Sequence, residues 1–368
     1  MAESAQFAET SVEAQVQDFI SAPEGKDFNT MALAVFAHQF RLNEPYQRFC
    51  LARGYNPETV TRWQDIPAVP TVAFKELDLT CGSPQKIFRT SGTTRGQEKR
   101  GRHLVPDLRL YHASALAHFD CCVLPDSRQL RVLALIPSPP ARPDSSLTQM
   151  AEWIIAERGE QGSQFFIDET GIHLNAFVDA ISQAQDEGIP VCILAITSAL
   201  VAFFDWCAAN DTHFALPGSS RIMDTGGNKG QGRPISRNGF LLSCWKYLKV
   251  AGYYCVNEYG MTEMASQFYD NVLHNRFCQS NEPRYKIGPA WTRTLVVDPE
   301  TLAEVPAGQT GILRHFDLAN CGSVMAIQTD DVGYLIRAGF EITGRVPGAE
   351  ARGCALALDE FLAASRKT

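Results

Sequence analysis

Residues 252–263 read GYYCVNEYGMTE, and this stretch decides the fold prediction. Its beginning, residues 252–256, is a short apolar run of the kind that forms a buried strand. The polar residues 258–263 follow where that strand ends. Because ligands bind at the carboxyl ends of strands in open α/β sheets, these polar residues form a candidate site. A plain strand-to-loop turn with a solvated Glu263 fits the same pattern.

Short apolar runs of the same kind lie upstream and alternate with helical segments. The runs are residues 130–137, 190–196 and 221–224, and apolar residues recur with helical spacing over 174–185 and 239–250. Strands that alternate with helices in this way are typical of a mostly parallel sheet covered by helices. The predicted fold class is therefore α/β.

The two ends of the chain have a different texture from its centre. From about residue 11 the apolar spacing is helical with no clear strand, whereas from about residue 295 short alternating segments predict a small β-rich subdomain. The predicted organisation is a helical N-terminal region over 1–66, an α/β core over 67–290, a β-rich subdomain over 291–345 and a short tail over 346–368.

Composition and charge exclude several classes of protein. The 368 residues are 45% hydrophobic and 20% charged, which is ordinary globular usage. A net charge of -8 argues against a surface that grips nucleic acid by its phosphates. The acidic start lacks a secretory signal and no apolar run is long enough to cross a bilayer, so we expect a cytoplasmic protein. Eleven cysteines without a C-x-x-C pair favour neither a disulfide framework nor a zinc site.

A loop rich in glycine and hydroxyl residues follows an apolar run at residues 88–99, FRTSGTTRGQEK. Glycine lets backbone N–H groups approach phosphoryl oxygens, hydroxyls add hydrogen bonds, and a cation neutralises charge. The same composition is also typical of a flexible surface turn. The loop is neither a Walker A nor a G-x-G-x-x-G motif. Its candidate phosphate-binding residues are Ser91, Gly92, Thr93, Thr94, Gly96 and Lys99.

Three more short segments complete the set of candidate sites. Residues 224–228 (DTGGN) follow a predicted strand, and their glycines would let a flat ring lie against the backbone. Residues 328–333 (QTDDVG) and 344–345 (GR) lie in the β-rich part. A simple turn and a surface cation are the alternatives. The candidates here are Gly226, Gly227, Asn228, Asp331 and Arg345.

In this order, the segments resemble the adenylate-forming superfamily, whose members make acyl-AMP from a carboxylic acid and ATP. Residues 91–94 (SGTT) resemble its phosphate loop, and 259–263 (YGMTE) resemble its Y-G-x-T-E signature. Two departures are Arg95, which stands where a glycine usually follows S-G-T-T, and Asp330, which replaces the glycine of T-G-D.

The resemblance implies a role for each matching residue, with ATP and Mg²⁺ as cofactors. Glu258, Tyr259 and Gly260 would lie at the adenine, with the tyrosine ring able to stack on it. Thr262 would contact the α-phosphate and Glu263 would hold Mg²⁺. Asp331 would accept both ribose hydroxyls, and Arg345 would be the hinge arginine that contacts ribose and phosphate.

The ending of the chain and several segments point to one branch of the superfamily. Related acyl-CoA synthetases continue with a lid domain that carries a catalytic lysine, whereas this sequence ends soon after Arg345. We therefore expect no lid, and Arg345, Lys99 or Mg²⁺ to supply the missing charge. Further segments resemble the bacterial acyl-protein synthetases, LuxE-like fatty-acid ligases. They are residues 36–46, 63–75, 143–147 and 258–267.

A cysteine in the tail fits this branch. The resemblance implies that Cys354, in residues 352–358, accepts the acyl group from acyl-AMP as a thioester, and adjacent Arg352 would favour its thiolate. A partner acyl reductase or carrier would receive it next. The apolar runs 191–204 and 253–256 are candidates for the acyl pocket. Two alternatives remain: an acyl- or aryl-CoA ligase of the phenylacetate-CoA ligase type, and a catalytically degenerate nucleotide-binding protein.

Overall fold

The N-terminal part of the chain is helical, in agreement with the sequence prediction. The structure is a computed structural model that describes residues 11–90, 100–226 and 234–346. Ser11, Asp27 and Asn43 each cap the start of a helix by accepting a hydrogen bond from a backbone N–H three residues later. The three helices are α1 (Val12–Ser21), α2 (Phe28–Leu42) and α3 (Glu44–Ala52).

A small hairpin and a long helix connect this region to the main sheet. The hairpin strands are antiparallel, with Arg89 paired to Arg102. Next to this pair, Arg100 Nε donates to the Thr90 carbonyl at 2.6 Å. The elements are β1 (Val69–Pro70), α4 (Ala73–Glu76), β2 (Lys86–Arg89), β3 (Arg102–Val105) and α5 (Leu108–Val123).

The centre of the chain alternates between strands and helices. The order in the sheet is β5–β4–β7–β8–β9, and all of these neighbours are parallel. The elements are β4 (Arg131–Pro137), α6 (Ser146–Arg158), β5 (Gln164–Asp168), β6 (Gly171–Ile172), α7 (Leu174–Glu187), β7 (Val191–Ile196), α8 (Thr197–Ala209), β8 (Arg221–Thr225), α9 (Arg237–Leu248) and β9 (Cys255–Tyr259).

The predicted strands at 130–137, 190–196 and 221–224 are confirmed with small shifts. The strand predicted at 252–256 is shifted, because residues 252–254 form a 3₁₀ turn and β9 begins at Cys255. Its last residues, Glu258 and Tyr259, therefore belong to the strand itself. Their backbone is fixed by sheet hydrogen bonding.

The last part of the described chain is antiparallel and continues the same sheet in the order β9–β10–β11–β15–β14–β13–β12. The sequence predicts two strands at 324–329 and 333–337, but the structure has a single long β14. Gly333 makes this possible at a register shift, since a Cβ there would overlap the Glu341 carbonyl oxygen. The elements are β10 (Phe268–Asp270), α10 (Val272–Phe277), β11 (Lys286–Ile287), β12 (Thr292–Val297), β13 (Gly311–Asp317), β14 (Ala326–Ile336) and β15 (Gly339–Arg345).

The sheet coils strongly between β9 and β14. Three strands separate them in the sheet order, so in a flat sheet they would lie about 19 Å apart at about 4.8 Å per strand. Yet the Tyr259 hydroxyl donates a hydrogen bond to Asp331 Oδ2 at 2.8 Å. The coiling therefore brings the end of a parallel strand against the antiparallel part. The division of the chain into four segments stays a prediction.

A buried amide on α2 connects the N-terminal helices to residues 320–325. Gln39 on α2 is fully buried, and its Nε2 donates to the carbonyls of Asn320 and Cys321 at 3.0 Å each. Its Oε1 accepts from the Met325 N–H at 3.1 Å.

None of the helices within the described ranges combines the length and hydropathy that a bilayer-crossing segment needs.

Candidate active site

Three predicted site residues from separate motifs meet at the end of β9. Tyr259 donates to Asp331 Oδ2 at 2.8 Å, and Arg345 Nε donates to Asp331 Oδ1 at 3.0 Å. Asp331 and Arg345 are also paired across β14 and β15. Both carboxylate oxygens of Asp331 are thus oriented by fixed donors. We call this group the Tyr259–Asp331–Arg345 cluster.

Burial keeps the phenol of this cluster protonated. The apolar surroundings, and then the neighbouring Asp331 carboxylate, raise the pKa of Tyr259 well above its ordinary value of 10.0. Tyr259 therefore remains a hydrogen-bond donor at neutral pH. Arg345 differs, because 60% of its side chain is exposed and its guanidinium is open to the solvent side. The cluster thus combines the buried carboxylate of Asp331 with a solvent-accessible cation, Arg345.

His315 supports Tyr259 from β13 and is a residue that the sequence prediction missed. Its Nδ1 lies 2.9 Å from the Thr294 hydroxyl, and its ring packs 4.7 Å from Phe268 and 5.6 Å from Tyr259. Burial lowers the pKa of His315 to about 3, so the ring is neutral. The sequence offers no signal for this role, because a lone histidine in a strand has no local motif.

The two adjacent acids of QTDDVG are not equivalent. Asp331 accepts from both Tyr259 and Arg345, as described above. Asp330 contributes a backbone carbonyl, which accepts from the Val346 N–H at 2.9 Å. Burial raises the pKa of its carboxyl, and Arg345 opposes that shift. Asp331 is therefore the carboxylate that the other predicted site residues contact.

Glu263, the predicted metal ligand, lies beside the base of the hairpin loop. A Cβ built on Gly101 would be 3.7 Å from Glu263 Oε1, and the Gly101 N–H donates to the Thr90 hydroxyl at 2.9 Å. The Glu263 carbonyl accepts from Asn320 Nδ2 at 2.9 Å. Glu263 is a buried carboxylate near Thr90 and Gly101, and carboxylate oxygens are the hard ligands that Mg²⁺ prefers. The residues present therefore fit this ion.

Glu258 and Gly226 lie at the adjoining ends of β9 and β8. The Thr225 hydroxyl donates a hydrogen bond to the Glu258 carboxylate. Gly226 has a φ of +79°, a conformation that glycine adopts without strain. A Cβ on Gly260 would overlap Glu258 Oε1, so that side chain would have to move. Gly226 and Gly260 thus lie at these strand ends, and the contact of this edge with a flat ring stays a prediction.

The remaining predicted site residues lie outside the described ranges, and their roles stay predictions. They are Ser91, Gly92, Thr93, Thr94, Gly96, Lys99, Gly227, Asn228 and Cys354.

His103 and Asp317 both form hydrogen bonds with the segment 262–266, which we call the motif segment. The sequence prediction missed both residues. His103 Nδ1 lies 2.7 Å from the Thr262 carbonyl oxygen. Asp317 accepts from the Ala265 N–H at 2.9 Å and from the Ser266 hydroxyl at 2.6 Å. Burial lowers the pKa of His103 to about 4 and raises the pKa of Asp317 to about 6. His103 therefore donates from Nδ1 to the Thr262 carbonyl oxygen while burial keeps its ring neutral at pH 7.

We expect acid to destabilise the protein partly through His103. An unfolded histidine binds a proton below about pH 6.5, whereas folded His103 resists protonation down to about pH 4. The unfolded state thus binds more protons in this window, and the free energy of unfolding falls by up to about 1.4 kcal/mol per pH unit. Urea unfolding at pH 7.5 and 5.0 should show that the wild type loses roughly 2 kcal/mol more than His103→Gln.

Exposed His213 is the control for this measurement. His213→Gln should retain the pH dependence of the wild type. An identical pH dependence in His103→Gln and the wild type would contradict the assignment of a low pKa to His103.

A buried cluster of charged side chains around Asp270 contacts β9. Asp270 Oδ1 accepts from Lys286 Nζ at 2.7 Å, and its Oδ2 accepts from the Asn257 N–H at 3.0 Å and pairs with Arg284. Burial alone would raise the pKa of Asp270, but Lys286, Arg284 and Arg237 outweigh it and lower the pKa to about 2. Asp270 therefore pairs with three cations beneath the strand that carries Tyr259, and one of them, Arg237, also pairs with Asp224 at 2.7 Å.

A small cavity lies beside the motif segment. It has a volume of about 60 Å³, and its lining includes His103, Leu110, Tyr111 and Ala265. The run 191–204, one candidate for the acyl pocket, forms β7 and α8, and Leu194, Leu200 and Phe203 within it are fully buried in the core. That run is packed against its neighbours, so the cavity next to residues 262–265 is the better place to look for acyl binding.

The architecture is shared with solved enzymes. The chain superposes on 2-hydroxyisobutyryl-CoA ligase, in an open conformation in complex with 2-HIB-AMP and CoA, with a TM-score of 0.63 and 12% sequence identity. The match covers 87% of this chain and 70% of that one. The fold is therefore that of the adenylate-forming enzymes, which confirms the predicted fold class.

Sequence comparison defines the family within this class. Residues 12–363 match the family described as acyl-protein synthetase, LuxE. The chain therefore belongs to this family, and the predicted ligase class is confirmed. The long-chain-fatty-acid–luciferin-component ligase of Vibrio harveyi is 22% identical over 343 residues, which are 89% of this chain and 86% of that protein. The protein of the same name from Aliivibrio fischeri is 22% identical, covering 88% and 85%.

Proposed function

We propose that the protein activates a fatty acid with ATP as acyl-AMP and transfers the acyl group to its own Cys354. A partner acyl reductase or carrier then receives it. The observation that carries the proposal is the Tyr259–Asp331–Arg345 cluster, which presents an oriented carboxylate and an accessible cation next to the strand ends. The names of the two relatives support a long-chain fatty acid as the substrate class.

The cluster suits the nucleoside of ATP. Asp331 has two oriented oxygens, and a ribose presents two neighbouring hydroxyl donors, so two charge-assisted hydrogen bonds can form. The partly exposed ring of Tyr259 and the glycine at Gly226 would border the flat adenine. The triphosphate would then extend toward the loop whose base is formed by Thr90 and Gly101.

Mg²⁺ would be held at Glu263, with the Thr262 hydroxyl near the same phosphates. When bound, the ion would neutralise phosphate charge and orient the pyrophosphate leaving group. The protein's own part is to fix the segment: His103 holds the Thr262 carbonyl and Asn320 holds the Glu263 carbonyl. Positioning of this kind lowers the entropic cost of reaching the reactive geometry.

The proposed reaction has two balanced steps. In the first, a carboxylate oxygen of the fatty acid attacks the α-phosphorus of ATP, the bond to the β-phosphate oxygen breaks, and pyrophosphate leaves. In the second, the thiolate of Cys354 attacks the acyl carbon, the carbon–oxygen bond to phosphate breaks, and AMP leaves. Arg345 would stabilise negative charge that develops on the α-phosphate. Its guanidinium lies beside Asp331, the carboxylate proposed to bind the ribose, and is open to solvent.

The acyl chain would enter beside the motif segment. The cavity there is bordered by apolar Leu110 and Ala265 and adjoins the segment that carries Thr262. Its volume of about 60 Å³ is too small for a long alkyl chain as the side chains stand. Binding of a long acid therefore requires the lining side chains to move.

The test measures the intact mass of the purified protein after incubation with Mg-ATP and a panel of fatty and aromatic acids. The proposal predicts an acyl adduct that neutral hydroxylamine removes, because hydroxylamine cleaves thioesters. In Cys354→Ala the adduct should be lost completely, while acid-dependent pyrophosphate release continues. The matched control Cys81→Ala should keep the adduct.

Other results would favour the alternatives. Acid-dependent pyrophosphate release without an adduct, with acyl-CoA formed when CoA is added, would identify a CoA ligase. ATP binding with neither pyrophosphate release nor adduct would identify a degenerate nucleotide-binding protein. An adduct that persists in Cys354→Ala would rule out Cys354 as the acceptor.

A further inference from the structure

Helix α5 carries three soft metal ligands on one face. His118, Cys121 and Cys122 stand at positions i, i+3 and i+4, which are neighbours on a helix surface. Their ring nitrogen and sulfur atoms all lie within 4.8 Å of one another. His118 and Cys122 are buried, whereas Cys121 is accessible from solvent. The candidate active site uses none of these residues.

Helix α10 brings more ligands of the same type to this face. His274 Nδ1 lies 3.5 Å from Cys121 Sγ, and Cys278 Sγ lies 3.6 Å from His274 Nε2. We call His118, Cys121, Cys122 and His274 the α5–α10 cluster. Its members come from two helices whose sequence positions differ by about 150 residues, so their proximity is a product of the fold.

The α5–α10 cluster lies at the opposite edge of the sheet from the candidate active site. Helix α5 ends at Val123 and β4 begins at Arg131, so the end of α5 lies at the amino end of the parallel strands. Helix α10 follows β10, which runs antiparallel to β9 and therefore ends at the same edge. The Tyr259–Asp331–Arg345 cluster is at the carboxyl end of β9. The two groups thus serve separate purposes.

The side chains of the α5–α10 cluster are close enough to share one metal ion after small rotations. With Zn–S of about 2.3 Å and Zn–N of about 2.0–2.1 Å, sulfur and nitrogen ligands stand roughly 3.6 Å apart. Cys121 Sγ and His274 Nδ1 are 3.5 Å apart, whereas Cys122 Sγ lies 3.8 Å from His118 Nδ1 and 3.7 Å from His118 Nε2, so the Cys122 thiol would have to rotate toward Nδ1. From these distances we propose that His118, Cys121, Cys122 and His274 bind one Zn²⁺ ion.

Three of the four ligands are already gathered, and His274 touches one of them. A rotation of the partly exposed His274 ring about its side-chain bonds would bring its nitrogen to the fourth position. His118 is oriented for ligation by a second interaction, because its Nε2 lies 3.2 Å from the Ile287 carbonyl oxygen. A donated hydrogen bond there leaves the Nδ1 lone pair free for the metal, as is usual for metal-binding histidines.

Zinc binding requires both cysteines of the cluster as thiolates. Binding of Zn²⁺ would therefore displace the thiol protons of Cys121 and Cys122 to solvent, and the ion would neutralise the two thiolates.

The sequence prediction of no zinc site rested on the missing C-x-x-C pair. The ligands here follow a helical H-x-x-C-C spacing, and the fourth comes from a distant helix. A helix-borne set of this kind is invisible to a search for short cysteine motifs. A metal bound there would pin α5 to α10 and stabilise the folded state over the unfolded one.

The experiment measures zinc in the tag-free full-length protein, reconstituted with Zn²⁺ under reducing conditions and freed of excess metal. We expect about one zinc per chain, and at least roughly a 100-fold loss of affinity in Cys121→Ser and in His274→Gln. The controls Cys81→Ser and Cys354→Ser should keep the metal, since neither residue is one of the four proposed ligands. Zinc content equal to wild type in Cys121→Ser, or loss only in Cys354→Ser, would overturn the proposal.

A cobalt titration of the wild type decides the question without a variant. Co²⁺ in this site should give thiolate-to-metal charge-transfer absorption and the strong visible bands of tetrahedral cobalt. Weak octahedral bands alone, or no saturation near one equivalent, would reject the site. Because Cys121 is accessible, its serine variant should keep the wild-type circular dichroism spectrum. The proposal is independent of acyl transfer, so Cys121→Ser should still form the hydroxylamine-labile adduct.

Discussion

Asp331→Asn is expected to raise the KM for ATP by roughly 100-fold, because the amide loses the charge that two ribose hydroxyls would bond. Hydrogen bonds to charged groups contribute about 1.5–3 kcal/mol each, and each 1.4 kcal/mol corresponds to a factor of ten. The variant also removes the charge that Arg345 pairs with at 3.0 Å. ATP–pyrophosphate exchange measured over a range of ATP concentrations, at saturating acid, gives the KM directly.

Asp330→Asn is the matched control for this prediction, since it makes the same replacement of a carboxylate by an amide at the neighbouring residue. Asp330 does not supply the carboxylate that Tyr259 contacts, so its variant should change the KM for ATP less than about threefold. A larger effect in Asp330→Asn than in Asp331→Asn would assign the ribose to the other acid. Equal, small effects in both variants would contradict the proposed nucleotide site itself.

Asp270→Asn is expected to lower the free energy of unfolding by about 3–5 kcal/mol, the range found when one partner of a buried ion pair is removed. Asp270 is only 3% exposed, and it pairs with Lys286, Arg284 and Arg237, the last of which it shares with Asp224. An asparagine of the same shape leaves these cations beneath β9 without that charge. Urea unfolding at pH 7 measures the loss.

Asp168→Asn provides the comparison on the surface. Asp168 pairs with His173 at 2.6 Å, but both side chains are 45% exposed, so water screens the pair. We expect this variant to lose much less stability than Asp270→Asn. If the two variants were equally stable, the ionic group around Asp270 would contribute little to the stability of β9.

The parallel strands and their ends were predictable from the sequence for a physical reason. A strand buried on both faces must be apolar along its whole length, so residues 130–137 and 190–196 stand out as continuous runs. The polar residues that follow such a run lie at the ligand-binding edge of the sheet. The strand before Tyr259 was misplaced because apolar spacing does not distinguish a 3₁₀ turn from the start of a strand.

The groups that support the site could not be predicted in this way. His103, His315 and Asp270 each interrupt an apolar pattern once, and a single polar residue has no period. Their partners lie on strands or loops that are far away in the sequence. The meeting of Tyr259 with Asp331 likewise depends on how strongly the sheet coils, which local spacing does not encode.

The hydrogen bonds of the buried Gln39 amide can form only long after Gln39 itself has been synthesised. Its backbone partners follow it by 281 to 286 residues in the chain. At about 5–20 residues per second, a ribosome delivers those partners roughly 15–60 s after Gln39 itself. Throughout that interval the Gln39 amide on α2 lacks its permanent hydrogen-bond partners. The N-terminal helices of the nascent chain therefore cannot complete their contact with this segment until residues 320–325 have been synthesised.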